Sequence, residues 1–283
     1  MKKQNLIYIV LAAALMIISG QLPDSSTASG LTMMGPPRSL LNKGQSAVSL
    51  EAAYSQMDLE AFGPITNTQS TLSTPDYTKF KIENLKSATI SARLDTSVFE
   101  NWDLFARIGT TNGKGELKED ASSATGHEFN DFDGTFGFSW GVGTRTSFYK
   151  DENISWGSTL QVNWANPGTC DITDDTDSKF TGEAEIKYWE FQIGIGPTFE
   201  IDKVRIYGGP FLHYINGDLD ITGITQDTIP ATSYDASLDI REKTQVGAFI
   251  GTQIYLGKNV TLIAEGQLTG DGWGIGINPM WKF

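Results

Sequence analysis

The sequence predicts an all-β fold, an antiparallel up-and-down β-barrel of ten strands that crosses a membrane. Three observations lead to this prediction. Apolar and polar residues alternate with period two over most of the chain, the connections between the resulting strands are alternately long and short, and the last strand is amphipathic and ends in an aromatic residue, Phe283. No window beyond residue 44 has the i, i+3, i+4, i+7 spacing of an amphipathic helix.

The composition excludes several other classes of protein. The chain has 283 residues, a formal net charge of −13 and one cysteine, Cys170. A single cysteine excludes an intrachain disulfide scaffold and a CxxC zinc site. The negative charge would repel phosphate, so no nucleic-acid partner is expected. The only long apolar run lies at the N-terminus and is too short to span a bilayer as a helix.

The first 28 residues are predicted to be a secretory signal peptide. Lys2 and Lys3 precede an apolar run over residues 6–18, and Ser26-Thr27-Ala28 forms an A-x-A-like cleavage site. An earlier cut after Gly20 and an uncleaved anchor helix are the alternatives.

Residues 29–44 are then predicted to form an N-terminal periplasmic segment, and residues 45–283 the transmembrane barrel. The part from Met33 to Arg38 is interpreted as a mobile tether, with a plug in the periplasmic mouth as the alternative.

The ten strands follow from the period-two alternation. They are predicted at about 45–57, 81–96, 102–112, 132–146, 154–165, 182–200, 203–215, 236–256, 259–269 and 272–283.

The connections between these strands have an asymmetric pattern. Long polar loops are predicted at 58–80, 113–131, 166–181 and 216–235, and tight turns alternate with them. One connection on the side of the long loops is short, the turn Gly270-Asp271 between the last two predicted strands. Short periplasmic turns opposite long outer loops are typical of a transmembrane β-barrel. Acidic outer loops of this kind also suggest a surface for an extracellular partner.

All seven tryptophans fall on the apolar face of the predicted strands. Because amphipathic rings favour the headgroup region, we expect an aromatic girdle. Its members are Trp102, Trp156, Trp164, Trp189, Trp273 and Trp281. A soluble sandwich with a tryptophan core is the alternative, but it does not explain the loop asymmetry or the C-terminus.

The opposite face is polar and rich in glycine, which suits a narrow lumen. Buried charges are tolerated only when they are paired, so an ion-pair network is predicted inside. At least two of three arginines, 93, 107 and 145, should lie near Glu51, Asp95, Glu190 or Glu265 and constrict any pore. The predicted network consists of Glu51, Arg93, Asp95, Arg107, Arg145, Glu190, Arg205 and Glu265.

The C-terminal strand carries the most specific signal. Counting back by twos from Phe283 gives Trp281, Pro279, Ile277 and Ile275. A terminal aromatic residue on such a strand resembles the signature read by the outer-membrane insertion machinery. Residues 45–283 resemble the bacterial outer-membrane β-barrel superfamily, most of all its small barrels of the OmpA and opacity-protein kind, enlarged to ten strands. Pro279 departs from the pattern because proline lacks the ladder donor.

The resemblance implies a location in the bacterial outer membrane, with both termini periplasmic. Outer-membrane lipid and the assembly machinery are the implied partners, and Phe283 and Trp281 the implied assembly signal. It implies biochemical function only weakly, because barrels host many activities.

Three functions are left open by the residues. The first is a non-enzymatic barrel with a narrow, charge-paired lumen and a structural or interaction role, or at most a small pore. The second is a substrate-selective channel for ions or small solutes. The third is an enzyme at the rim, since ten-stranded omptin proteases use a His–Asp pair there and His213 is followed by Asp218 and Asp220. The loose spacing argues against the third function.

No cofactor or metal is predicted. The acidic stretch 171–177 lacks the EF-hand spacing and is interpreted as a solvated loop, with a calcium site as the alternative. His127 lies in a predicted outer loop without an obvious catalytic partner.

Overall fold

The computed structural model describes residues 31–67, 76–119, 131–174, 180–225, 232–243 and 245–283. The predicted signal peptide and His127 lie outside these residues. Within them, no helix is long and apolar enough to cross a membrane.

Fourteen strands are described. They are β1 (Ser46–Asn67), β2 (Asp76–Phe99), β3 (Trp102–Thr111), β4 (Lys114–Glu119), β5 (Phe132–Asp133), β6 (Gly137–Lys150), β7 (Ile154–Ala165), β8 (Thr169–Asp174), β9 (Phe180–Ile201), β10 (Val204–Thr225), β11 (Thr232–Arg241), β12 (Val246–Tyr255), β13 (Val260–Thr269) and β14 (Gly272–Lys282).

Ten of these strands form a closed antiparallel ring, in the order β1, β2, β3, β6, β7, β9, β10, β12, β13, β14. The first strand closes it, because β1 pairs with β2 on one side and with β14 on the other. The predicted all-β barrel is confirmed. We call this part the ring.

The other four strands lie beyond the ring at the long-loop end. β4 pairs with β2, β5 with β4, β8 with β9, and β11 joins β10 to β1. Together with the distal halves of β1, β2, β9 and β10 they form what we call the extension.

The extension corrects the sequence prediction in two places. Much of the predicted long loops is strand, since β4, β8, the start of β11 and the distal parts of β1, β2 and β10 lie in them. The predicted strands at 132–146 and 236–256 are each divided: residues 132–133 belong to β5, and β11 and β12 are separate. The turn at Gly270-Asp271 is short, as predicted.

The outer face of the ring is apolar. Ile250, Leu268 and Ile195 are 67%, 61% and 46% exposed. The residue that precedes each of them in sequence is buried and faces inward. A closed barrel with an apolar outer face satisfies its backbone within the wall and meets lipid outside.

The N-terminal segment differs from its prediction. Residues 31–41 lie inside the ring, with Met34 fully buried and Leu31 and Met33 each 3% exposed. They are therefore not a mobile tether outside the barrel. We call residues 31–41 the plug. The reason for the difference is chemical: Leu-Thr-Met-Met is largely apolar, and the lumen supplies partners for its backbone.

Candidate functional site: the plugged lumen

The plug follows the inner wall of the ring toward the short-turn end. The amide N–H of Leu31 donates to Ser55 Oγ at 3.0 Å, far along β1. At the other end, Lys282 Nζ donates to the carbonyl oxygen of Leu40 at 2.7 Å, beside the start of β1. The chain then leaves the lumen, and Gly44 N–H bonds to Ser97 O at 3.1 Å.

Three carboxylates hold the backbone N–H groups of the plug. Glu265 accepts from Met34 and Gly35, both at 2.9 Å. Glu190 accepts from the Thr32 N–H at 3.1 Å and from its hydroxyl at 2.5 Å. These charge-assisted hydrogen bonds belong to the stronger class.

The third carboxylate lies nearer the short-turn end. Asp103 accepts from the Leu40 N–H at 2.5 Å and from the Ser39 hydroxyl at 2.8 Å. Strands β3, β9 and β13 thus each contribute one carboxylate to the plug.

The plug carbonyls are met by donors from the wall. Arg107 Nη2 donates to Met33 O at 3.0 Å, and Gln267 Nε2 donates to Thr32 O at 2.9 Å. Gln161 also reaches Thr32, through its carbonyl and its hydroxyl. The lumen therefore binds both the donors and the acceptors of an extended chain.

The structure brings the predicted arginines together with two carboxylates. Arg107 Nη1 lies 2.6 Å from Glu51 Oε1, and Arg93 Nη1 lies 3.5 Å from Glu51 Oε2. Arg93 also makes a two-point contact with Asp95, at 3.1 Å for both bonds, and Arg145 Nη1 lies 3.2 Å from the same carboxylate.

Phe105 stands at the centre of these three guanidinium groups. The Cζ atoms of Arg93, Arg145 and Arg107 lie 3.6, 4.9 and 5.5 Å from its ring centroid. The Phe105 side chain faces the lumen, although its inward-facing neighbours on β3, Asp103 and Arg107, are charged. Cation–π contact offsets part of the cost of burying the three cations.

Within the part of the chain that the structure describes, Glu190 and Glu265 form no ion pair with an arginine. Glu265 accepts instead from Tyr207 and Gln267, besides the plug, and Glu190 accepts from Asn163 and Gln192. Arg205 lies nearer the short-turn end, 2.9 Å from Glu200, and also bonds to Tyr255.

His213 lies between the lumen and the extension. Its Nε2 lies 3.0 Å from Glu190 and its Nδ1 lies 2.6 Å from Glu242, and all three side chains are buried. Asp218 has the opposite parity on β10 and faces outward. Among the described residues, His213 and Asp218 therefore do not form the His–Asp pair at an open rim that was considered as an alternative.

A small cavity lies against the plug. Its volume is about 20 Å³, it lies beside Thr32, Arg107, Asn163 and Glu190, and it has room for about one water molecule. Glycines make the plug fit: a Cβ on Gly157 would lie 2.2 Å from the carbonyl oxygen of Pro37.

The remaining predicted residues lie away from the lumen. Among the girdle tryptophans, Trp102, Trp156, Trp189 and Trp281 are exposed on the outer face, and Trp164 and Trp273 are half-buried there. Phe283 is 65% exposed at the end of β14, where its backbone pairs with Ser46. Their roles as girdle and assembly signal stay predictions.

Cys170 and the acidic stretch belong to the extension. Cys170 is buried, and this burial raises the pKa of its thiol, so the thiol is poorly reactive. Asp171 and Asp174 lie on β8, while residues 175–179 lie outside the described residues. No group of His, Cys, Asp and Glu suited to a metal occurs in the described part of the chain.

The sequence reasoning gave a plug only as the alternative to a tether, and it missed Asp103, Phe105 and Glu242. A usable signal was present, since residues 31–41 contain five Leu or Met residues but only one charged residue, Arg38, which is unusual for a tether in water.

No protein-family model and no curated protein sequence matches the chain. Solved structures do. The chain is similar to the outer membrane protease OmpT from Escherichia coli, with 10% identity and a TM-score of 0.46 over 90% of this chain and 99% of that one.

It is also similar to the outer membrane protein OprG from Pseudomonas aeruginosa, with 10% identity and a TM-score of 0.45 over 89% and 99% of the two chains. The Pseudomonas putida toluene transporter TodX has 10% identity and a TM-score of 0.36 over 91% and 94%. These structural neighbours are outer-membrane β-barrel proteins. At this level of similarity they carry no argument about what this chain does.

Proposed function

We propose that this protein is a non-enzymatic outer-membrane barrel whose lumen is closed at rest and whose role, structural or interaction-bearing, is exerted through the extension. The observation that carries the proposal is the plug, which occupies the ring and satisfies its carboxylates. In this proposal the long-loop end faces the outside and the turns face the periplasm.

The arginine cluster supports a closed lumen independently of the plug. Arg93, Arg107 and Arg145 surround Phe105 and are at most 4% exposed at their side chains. An ion would have to pass between these groups and the plug. Ten strands leave far less room than the wide porins do.

The extension supports the interaction role. Its outer face carries charged side chains of both signs, among them Lys114 and Asp133, which pair at 2.7 Å and are more than half exposed. A rigid, hydrated surface of this kind, held by continuous strands, is suited to contact another macromolecule.

Single-channel recording of the full chain in a planar bilayer tests the closed lumen. We expect conductance far below that of a 16- to 18-stranded porin measured in the same bilayer as the positive control. Porin-like conductance by the full chain would contradict the proposal.

Labelling of Lys114 on intact cells tests the orientation. We expect an amine reagent that does not cross membranes to modify Lys114, which is exposed, and to spare Lys258 at the short-turn end. The reverse pattern would place the extension in the periplasm.

A substrate-selective channel is the second candidate. The observation that favours it is the mixed-sign lining of the ring, which would face water if the plug left. Conductance that appears only in variants with a loosened plug would favour the channel over a purely structural barrel.

A further inference from the structure

We propose that the lumen is a binding site for an extended peptide, that the plug is its ligand in cis, and that a peptide of the plug sequence binds there in trans when the plug is displaced. This inference deepens the proposed closed barrel and rests on it.

The plug is attached as a ligand and not as a further strand. Within the described residues, its one main-chain to main-chain hydrogen bond runs from Arg38 N–H to Pro36 O, inside the plug itself. Every described bond from its backbone to the wall ends on a side chain, such as Glu265, Glu190 or Arg107. The plug therefore separates from the wall without breaking a ladder bond of the ring.

Side chains of the wall form hydrogen bonds with the plug backbone at successive positions. Carboxylates accept from the plug N–H groups of Thr32, Met34, Gly35 and Leu40, and serine hydroxyls of the wall accept from those of Leu31 and Ser39. Pro36 and Pro37 lack an N–H, and the Pro36 carbonyl accepts from the Thr159 hydroxyl at 3.4 Å. This match between donors and acceptors is the chemistry of peptide recognition.

Two lumen glycines provide room for the methionines. A Cβ on Gly276 would lie 2.3 Å from Met33 Cγ, and a Cβ on Gly194 would lie 3.1 Å from Met34 Sδ. Methionine adapts its shape to such spaces. Gly35 follows with φ of +75°, a conformation that favours glycine.

The ligand class follows from these contacts. It is an extended peptide with a hydroxyl residue, two unbranched apolar residues and a glycine in succession, followed by prolines. Thr32 through Pro37 supply this pattern in cis.

Gly276→Val in the full chain tests the inference, because the new side chain fills the space of Met33. Gly266→Val is the matched control. It lies one rung away on β13 and faces outward, where the nearest atom to an added Cβ is 3.9 Å distant. Both variants are first checked for a heat-modifiable barrel.

Hydrogen exchange of the Thr32, Met34 and Gly35 amides is the first readout. We expect exchange at least tenfold faster in Gly276→Val than in the parent chain or Gly266→Val, with unchanged protection in β12 and β13. Adding Met33→Ala to Gly276→Val should restore protection, because the smaller residue fits beside valine.

Binding in trans is the second readout. A fluorescent synthetic peptide of residues 31–41 with alanine in place of Met33 should bind Gly276→Val at least tenfold more tightly than the peptide of native sequence. It should also lower any conductance of the variant.

Two results would overturn the inference: equal exchange in Gly276→Val and Gly266→Val, or faster exchange without binding of the alanine peptide. If Gly276→Val does not assemble, Glu265→Gln weakens the bonds to Met34 and Gly35, and the two readouts are then the exchange of these amides and the binding of the peptide of native sequence. Porin-like conductance by the parent chain would instead defeat the proposed closed barrel, so the two failures are distinguishable.

Discussion

The ring and the extension share strands β1, β2, β9 and β10 but have opposite polarity. On β10, Leu212 and Tyr214 face outward in the ring and His213 faces inward. A few residues later, Asp218 faces outward while Leu219 and Ile221 are fully buried inside. The side-chain alternation continues without a break, and only the chemistry of each face changes.

The change follows from what surrounds each part. Lipid surrounds the ring, so its outside is apolar and its inside holds charges and the plug. Water surrounds the extension, so its apolar residues turn inward, as in a soluble protein. Its interior cluster includes Met57, Leu59, Phe80, Ile82, Leu85, Leu117, Phe132, Ile172, Phe180, Ile186, Ile215, Leu219, Ile221, Leu238 and Ile240.

The largest expected effect concerns assembly of the ring. Phe283→Ala should reduce the amount of heat-modifiable barrel in the outer membrane by about tenfold or more, because the C-terminal aromatic residue is the predicted assembly signal. Phe62→Ala is the control, as Phe62 is also exposed, at 52%, but belongs to the extension. Equal assembly of both variants would refute the signal.

A charge inside the extension should have the next largest effect. Leu219→Glu places an unpaired carboxylate among apolar side chains and should destabilise the extension by more than about 4 kcal/mol. Limited proteolysis should then cut the extension while the ring stays heat-modifiable. Asp218→Leu, on the outer face of the same strand, should leave protease resistance unchanged.

Two ion pairs of equal length sharpen the comparison further. Arg107 and Glu51 in the ring, and Lys118 and Glu116 in the extension, each have N–O distances of 2.6 Å. Glu51→Leu should lower the free energy of unfolding by about 3–5 kcal/mol, because it leaves buried cations short of a partner. Urea titration in detergent measures this loss.

Glu116→Leu is the counterpart in the extension, and we expect no measurable change because that pair is exposed to water. A comparable loss in both variants would mean that burial does not govern the strength of these pairs.

The smallest expected effect is on the plug. Thr32→Val removes the hydroxyl that bonds to Glu190 and should weaken the plug by about 1 kcal/mol. Exchange of the amides at residues 31–35 should rise by about fivefold, the equivalent of that energy. Thr222→Val, exposed on the extension, should not alter it.

The reversal of polarity also explains which part of the fold was predictable. On β1 the apolar residues of the ring are even-numbered, as at Val48 and Leu50, whereas those of the extension are odd-numbered, as at Met57 and Leu59. A search for one continuous alternation ends at this change of phase. The ring strands were therefore found, and the extension was mistaken for polar loops.

In the lumen, the pairing of arginines with carboxylates was predictable, but the contacts with the plug were not. Arg93, Arg107 and Arg145 share a parity, and buried charges require partners, so their meeting with Glu51 and Asp95 follows from the strand pattern. Glu265 could not be assigned in this way, because its partners are backbone N–H groups of the plug. Alternation carries no information about a segment that is not part of the sheet.

The link between the plug and β1 has a consequence for how strongly the plug must bind. Only residues 42–45 separate them. A ligand on such a short tether experiences an effective concentration on the order of 1 mM. A peptide with a dissociation constant of about 10 μM in solution would then be bound about a hundred times as often as it is free. Because the plug is tethered to β1, weak contacts are sufficient to keep it in the lumen. A single cut within residues 42–45 would convert the plug into a separate peptide that can dissociate.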